Sequence, residues 1–387
     1  MSNSKPNQAY LDQLRKRYAK SSKKERSVIL DEFVATSGYH RKHAIALLRG
    51  HRGWRRVQAP IRRPRRRIYG DEDRQAVLTL AEVFDQISSR RLRAALDAEL
   101  ATLRRQGHLP VSRICYRHLR TVSPATLDRL RQGSPRPVRR RGGTKPGTLL
   151  KQQIPVRTFA EWDDKRVGFE EIDLVQHDGG NPRGFFACTL TVTDVATGWT
   201  ELQAVENKAQ LRVFAALQEV RRRLPFDLHG IDSDNGSEFI NNELWRYCEQ
   251  EQLTFTRGRV GRTNDNPFVE QKNWSITRRL VGYERYDTPR QVSHLNALYE
   301  LTRLYTNHFL PVTKLVRKQR DGSRVRKVFD IPQTPYQRVL DSPHVSLKQQ
   351  TALKREHAKL DVVRLKEQID ATLDALKPSK VPPLELR

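Results

Sequence analysis

No stretch of this 387-residue chain approaches the roughly 20 apolar residues that a membrane-spanning helix needs. The N-terminal segment MSNSKPNQAY also lacks the apolar core of a secretory signal, so a cytoplasmic protein with no membrane partner is expected. Cysteine is scarce. Cys115, Cys188 and Cys248 are scattered without paired spacing, which argues against a disulfide framework or a cysteine-based zinc site. Acidic residues are short by a wide margin, 44 against 72 Lys plus Arg, leaving a formal charge of +28. Such a field favours a polyanion, because each phosphate neutralised releases counterions. The arginines lie in several separate segments rather than along one amphipathic helix, which favours nucleic acid over a membrane surface.

What is present reads as a series of domains. Residues 1–58 carry three helical patterns. Ser22 and Glu25 have capping-box spacing ahead of a helix with Ile29, Leu30, Phe33 and Val34 on its inner side. After the turn at Thr36-Ser37-Gly38, a second helix places Ala44, Leu47 and Leu48 inward and Arg41, Lys42 and His43 outward. Helix, Gly-containing turn, helix is the helix-turn-helix pattern. Residues 59–70 form a basic arm in which Pro64 interrupts the run Arg62, Arg63, Arg65, Arg66 and Arg67, suited to lying along a groove. Residues 71–133 return to helical periodicity, with Leu92, Leu96, Leu100 and Leu103 in one stripe, and are expected to form a second helical DNA-binding domain. There Ser123-Pro124 opens a short helix carrying Arg129 and Arg131. Residues 134–164 are a Gly-, Pro- and Arg-rich linker.

Between 165 and 285 the period changes to that of strands. Phe169–Val175, Phe185–Asp194, Trp199–Val205, Leu228–Ser233 and Leu253–Thr256 read as five strands, with helices near Lys208–Leu224 and Asn241–Gln252. An α/β core with a mixed five-stranded sheet follows. Beyond it, 286–345 holds two helices near 289–308 and a basic hairpin at Lys314–Asp330 with Asp321-Gly322 at a type I′ turn. Residues 346–387 form one charged C-terminal helix and tail, with Leu365, Ile369, Leu373 and Leu376 on a stripe able to pair with another helix.

Three acids stand out by context. Asp173 lies inside the first strand, where a charge is costly unless something binds it. Asp234 ends the fourth strand, and Glu270 opens a helix after a loop rich in Asn, Gly and Arg. Carboxylates from two adjacent strands and a nearby helix suit two Mg²⁺ ions astride a scissile phosphate. Asp178, five residues after Asp173, is the alternative first ligand, but it runs into a Gly-Gly turn rather than lying within the strand. Asp232 shares the strand parity of Asp234 and reads as a helper or a structural acid. His177 is another residue able to approach the site.

The segment Ile231-Asp232-Ser233-Asp234-Asn235-Gly236-Ser237-Glu238-Phe239 resembles the second signature block of retroviral-type integrases and bacterial insertion-sequence transposases. Asn264-Asp265-Asn266-Pro267-Phe268-Val269-Glu270 resembles the block around that family's glutamate, and 35 residues separate Asp234 from Glu270, as in its Asp-Asp-35-Glu core. More loosely, the whole chain resembles ISNCY-like bacterial transposases with a helix-turn-helix N-terminus. The resemblance implies a ribonuclease H-like core with Asp173, Asp234 and Glu270 as catalytic metal ligands. It also implies Mg²⁺ (two ions, Mn²⁺ able to substitute), double-stranded DNA as partner at element ends and target, and a homodimer or higher oligomer in the bacterial nucleoid. The implied activity is 3′-end cleavage at terminal inverted repeats followed by strand transfer. By position, Lys272, Asn273 and Arg278 on the glutamate's helix, with Arg259 and Arg262 before it, are expected to meet DNA. The zinc module of retroviral members is absent, since His40, His43 and His51 have no nearby cysteine. The competing readings are a sequence-specific DNA-binding protein or repressor with an inactive core, and a nuclease selective for branched DNA.

Overall fold

Ser22 opens the second helix with the capping box its spacing predicts: its N–H donates to Glu25 Oε2 at 2.7 Å, and its hydroxyl accepts from the Glu25 N–H. The computed structural model describes residues 8–50, 68–133, 166–233, 239, 242–257, 267–321 and 324–378. The chain divides into two units, Met1–Ile68 and Tyr69–Arg387.

The first unit contains α1 (Gln8–Lys20), α2 (Lys23–Ser37) and α3 (Arg41–Leu48). Gly38, at φ 68°, closes α2 by donating to Val34 O, a left-handed position that glycine occupies at little cost. Leu11, Leu14, Tyr18, Ile29, Leu30, Phe33, Ala44 and Leu48 form one small core. Arg41, Lys42 and His43 are exposed, and Arg41 pairs with Asp31 on α2.

The second unit begins with α4 (Asp71–Val83), α5 (Ser89–Arg105), α6 (Arg113–Thr121) and α7 (Pro124–Leu130). The predicted leucine stripe of α5 is buried throughout. Ser123 caps α7 and Pro124 occupies its first turn. The guanidinium of Arg131 donates to Ile87 O at 2.7 Å and to Gln86 Oε1 at 3.0 Å, so this arginine serves the bundle itself. The domain boundaries expected at 133/134 and 164/165 fall beside or among residues outside the described set.

The sheet follows, in the order β3-β2-β1-β4-β5. β1 (Phe169–Gln176), β2 (Cys188–Asp194) and β3 (Thr200–Val205) form an antiparallel meander. β4 (Gly230–Ser233) and β5 (Thr254–Arg257) continue it in parallel with β1. This is the mixed five-stranded α/β sheet that the strand periods predict. Helices α8 (Gln210–Arg223) and α9 (Asn242–Gln250) cover one face, where Ile172, Leu174, Leu190 and Val192 meet Val213, Leu217, Val220 and Leu244. Gly168, at φ 102°, starts β1: a Cβ there would stand 2.2 Å from Asp227 O.

Further on lie α10 (Pro267–Lys272), a π-helical turn (Asn273–Arg278) and α11 (Arg279–Val281), which form one run. They are followed by α12 (Pro289–Phe309), β6 (Leu315–Asp321), β7 (Arg324–Phe329), α13 (Pro335–Asp341), α14 (Leu347–His357) and α15 (Val362–Ala375). The buried faces of α12 and α15 share one hydrophobic core with α4–α7. Asn307 and Asn296 of α12 bond both backbone groups of Thr200 and Ala204, closing the free edge of β3.

Three sequence expectations need correction, and one helix was not expected. β2 begins at Cys188 rather than Phe185, because Phe185 O is held by Arg285 and Ala187 N by Tyr286 O. The two helices expected near 289–308 are a single one, with no breaker in its interior. The C-terminal helix is two, because Asp361 caps a new start by accepting from Val363 N and Arg364 N. The α13 helix, capped by Thr334, was not read in the sequence. The C-terminal stripe pairs within the chain: Leu365, Ile369 and Leu376 are buried in the shared core, with Leu373 packed against it. Among the described residues no helix is long and apolar enough to cross a membrane.

Candidate active site

Strand alternation sorts β1 into two faces. Ile172 and Leu174 enter the apolar core under α8 and α9; Glu171 and Asp173 belong to the opposite face. Register places Asp232 of β4 beside Glu171, and the described pairing ends at Ile172↔Ser233. Those are the residues immediately before Asp173 and Asp234. Asp232 is wholly buried and accepts from the Thr256 hydroxyl at 2.5 Å.

The run from Pro267 to Val281 is bound to this face of β1 at two points. Glu171, fully buried, accepts from the backbone N–H groups of Phe268 and Val269 at 2.9 and 3.0 Å. These are first-turn donors that no helical carbonyl can satisfy, and a carboxylate there also meets the positive end of the helix. Four residues after Val269, Asn273 donates from Nδ2 to Asp173 Oδ2 at 2.5 Å. The other oxygen of Asp173 accepts from its neighbour Leu174 N at 2.8 Å. Glu270 lies between the two anchors and is exposed. The π-helical turn starts at Asn273, and such turns recur where a helix re-aims side chains at a site. The structure thus brings Asp173 together with the helix that bears Glu270. Asp234, Arg259 and Arg262, like Arg62, Arg63, Arg65, Arg66 and Arg67 of the arm, lie outside the described residues.

The remaining sequence-predicted residues are placed as follows. The half-buried Lys272 has its ammonium near the Thr197-Gly198 turn: a Cβ on Gly198 would stand 3.8 Å from its Nζ. Burial, together with Arg91 and Arg338, pulls its ammonium down to about 7. Arg278 donates to Gln176 O at 2.8 Å and to Gly282 O, with its guanidinium 4.6 Å from the Tyr283 ring centre. Both side chains are half-buried. Asp178 begins a loop: its Oδ1 accepts from Gly180 N at 3.0 Å. His177 is buried and joins Thr189 Oγ1 at 2.7 Å, which in turn meets Tyr299 of α12 at 2.7 Å. Burial pulls its imidazole down to about 3, so it is neutral and structural.

Two contributors were not singled out from sequence. Glu171 shares the parity of Asp173 two residues on, a signal that alternation carries. Arg285, 4% exposed, gives its guanidinium to Asp178 O, Asn181 O, Arg183 O and Phe185 O and pairs with Asp287, pinning the loop that follows β1. Nothing in its local sequence marks that role.

Hard oxygen donors suit Mg²⁺. Asp173 supplies a half-buried carboxylate, and beside it the Asn273 Oδ1 is buried without a hydrogen-bond partner. Among the described residues no group of three or more His, Cys, Asp or Glu side chains is set to hold a metal.

No family model matches the chain. Among solved structures it is similar to the catalytic core domain of BIV integrase, at 18% identity and TM-score 0.29, covering 46% of this chain and 96% of that one. A second is the HTLV-2 integrase catalytic core domain in complex with magnesium, at 13% identity and TM-score 0.28, covering 37% and 88%. The likeness to the uncharacterized protein y4rM of Sinorhizobium fredii (strain NBRC 101917 / NGR234) is of another order, 41% identity over 330 residues, 83% of this chain and 91% of that protein. The chain belongs to the same family as y4rM.

Proposed function

We propose that the chain is a DNA transposase of the integrase type, a metal-dependent polynucleotidyl transferase with a ribonuclease H-like core. One observation carries the reading: a carboxylate on the central strand, Asp173, is tied through Asn273 to the helix that presents Glu270. An antiparallel meander followed by two parallel strands supports it, as do the Asp234 block, the 35-residue spacing and the +28 charge.

In this reading Asp173, Asp234 and Glu270 hold the metal ions. When bound, the ions would activate the attacking water or 3′-hydroxyl and stabilise the leaving oxygen. The chain's own contribution is positional. Glu171 fixes the start of the glutamate's helix, and Asn273 holds the Asp173 carboxylate in one orientation. Exposed Arg41, Lys42 and His43 of the first unit act as a recognition surface for element ends, with the arginine arm beside them in sequence on the phosphates. Two ends must be joined in one event, so a dimer or larger assembly is the working form.

The direct test uses the DNA flanking the gene as substrate. Incubating the full chain with duplexes containing the flanking inverted repeats and Mg²⁺ is expected to free 3′-hydroxyls at the repeat ends. Binding of those ends with no nicking in either Mg²⁺ or Mn²⁺ would instead identify a DNA-binding protein with an inactive core.

A further inference from the structure

Among the described residues β6 and β7 pair only with each other, as a two-stranded sheet of their own. Leu315, Val316, Val325 and Phe329 are exposed on this ribbon, so none of them is packed into a core of the described residues. An isolated two-stranded ribbon is marginal in water, yet the root of this one is firmly built. Lys314 N donates to Asp330 Oδ1 at 2.7 Å, Asp330 N donates to Lys314 O at 3.0 Å, and Arg338 grips Asp330 Oδ2 at 2.7 Å. The Lys314 ammonium donates to Val195 O and Ala196 O at 2.8 and 2.7 Å, fixing the root to the end of β2. β2 is the direct neighbour of the strand that carries Asp173.

Beyond this root the ribbon is one-signed. Residues 315–329 contain Arg317, Lys318, Arg320, Arg324, Arg326 and Lys327 against a single acid, Asp321. Cross-strand register adds to the imbalance: Lys318 is the partner of Lys327, and Gln319 that of Arg326. Like charges directly opposite destabilise a ribbon. Arg317, Arg326 and Lys327 are exposed. A seven-residue strand extends about 23 Å at roughly 3.3 Å per residue, and a duplex groove admits a two-stranded ribbon of this kind.

We propose that the β6–β7 ribbon is a DNA-binding arm, which binds duplex phosphates through Arg317, Arg326 and Lys327 and is rooted on the sheet of the active site. This rests on the DNA-processing function proposed above and adds to it a surface that the catalytic acids do not define. The rival explanation is that the basic residues only keep two open strand edges from pairing with other chains, a task that charge of either sign performs.

The test compares two charge-matched variants of the full chain for binding to a fluorescent 30-base-pair duplex across a salt series. One carries Arg317→Glu, Arg326→Glu and Lys327→Glu; the other carries Lys348→Glu, Lys354→Glu and Arg355→Glu on exposed positions of α14. Three lost phosphate contacts lower the slope of log K against log salt by about 2.7, at roughly 0.9 per contact. The ribbon variant is expected to show that loss while the α14 variant keeps the wild-type slope. Equal slopes in the two variants, or an unchanged slope in both, overturn the proposal. Arg317→Gln, Arg326→Gln and Lys327→Gln, which remove charge without reversing it, repeat the reading should the acidic ribbon fail to fold. A wild-type chain that binds through the ribbon yet never nicks DNA would leave this inference standing and overturn the catalytic one. Full nicking with no slope change would do the reverse.

Discussion

Asn273 Nδ2 and Asp173 Oδ2 stand 2.5 Å apart, joining the central strand of the sheet to the helix that carries Glu270 three residues earlier. This contact orients the Asp173 carboxylate, whose other oxygen is held by its own neighbour's N–H. Replacing Asn273 with Ala is expected to slow single-turnover end cleavage about 10- to 100-fold, the usual cost of losing a group that orients a metal ligand. DNA affinity at fixed salt should stay as it was. Cleavage time courses beside anisotropy titrations separate the two effects.

Glu171 gives a different signature, because it acts on the helix rather than on the neighbouring carboxylate. Glu171→Ala leaves the Phe268 and Val269 N–H groups buried without their acceptor, at about 1–3 kcal/mol for each such group. Thermal unfolding should fall by several degrees, and the Mg²⁺ concentration for half-maximal cleavage should rise. Glu171→Gln keeps a carbonyl oxygen in place and is expected to recover most of both. If Gln behaves as Ala does, the hydrogen bonds to the helix start are not what matters.

The opposite face of β1 yields a pH prediction. Glu170 is fully buried with neither carboxyl oxygen hydrogen-bonded, and burial, with Asp194, Glu201 and Glu171 nearby, pushes it well above the ordinary value of 4.5. The folded chain therefore holds this proton at pH values where the unfolded chain has released it. Its contribution to stability falls as pH rises above about 4.5 and continues to fall toward the raised folded value. Glu170→Gln, neutral at every pH, should gain in melting temperature relative to wild type between pH 5 and pH 8. A difference that stays constant across that range would mean that Glu170 is not held neutral.

Arg285 should behave as a structural cation. Its guanidinium holds four carbonyls of the loop between β1 and β2, and a lysine cannot span them. Arg285→Lys is expected to lose on the order of 3 kcal/mol, as breaking a buried charged network does. The loop should also become open to trypsin at exposed Arg183. Limited proteolysis followed by mass analysis of the new termini checks this.

Much of this architecture was legible because its signals are local. Alternation marks Phe169–Gln176, the serine–glutamate spacing marks the start of α2, and a leucine stripe marks the buried side of α5. What escaped depends on partners far along the chain. β2 starts late because Arg285, about 100 residues on, takes the carbonyl of Phe185. The C-terminal helix breaks where Asp361 both caps α15 and meets His108, 253 residues away. The place of the Lys272 ammonium beside the Thr197-Gly198 turn likewise depends on residues about 75 positions away, which its own helix does not signal. Of the candidate site, motif spacing points to Asp234 and Glu270, and Asp234 lies outside the described residues. The choice of Asp173 over Asp178 rested on strand placement. In the structure Asp173 meets Asn273 of the glutamate's helix, while Asp178 accepts from Gly180 N within its own loop.

Single-turnover cleavage of inverted-repeat DNA in Mg²⁺ should be compared for wild type, Asp173→Asn, Asp178→Asn, Asp234→Asn and Glu270→Gln, each shown to be folded by its melting curve. The account predicts cleavage abolished in the Asp173, Asp234 and Glu270 variants, with DNA binding kept, and near-normal cleavage in Asp178→Asn. Retained cleavage by Asp173→Asn, with loss in Asp178→Asn, would contradict it.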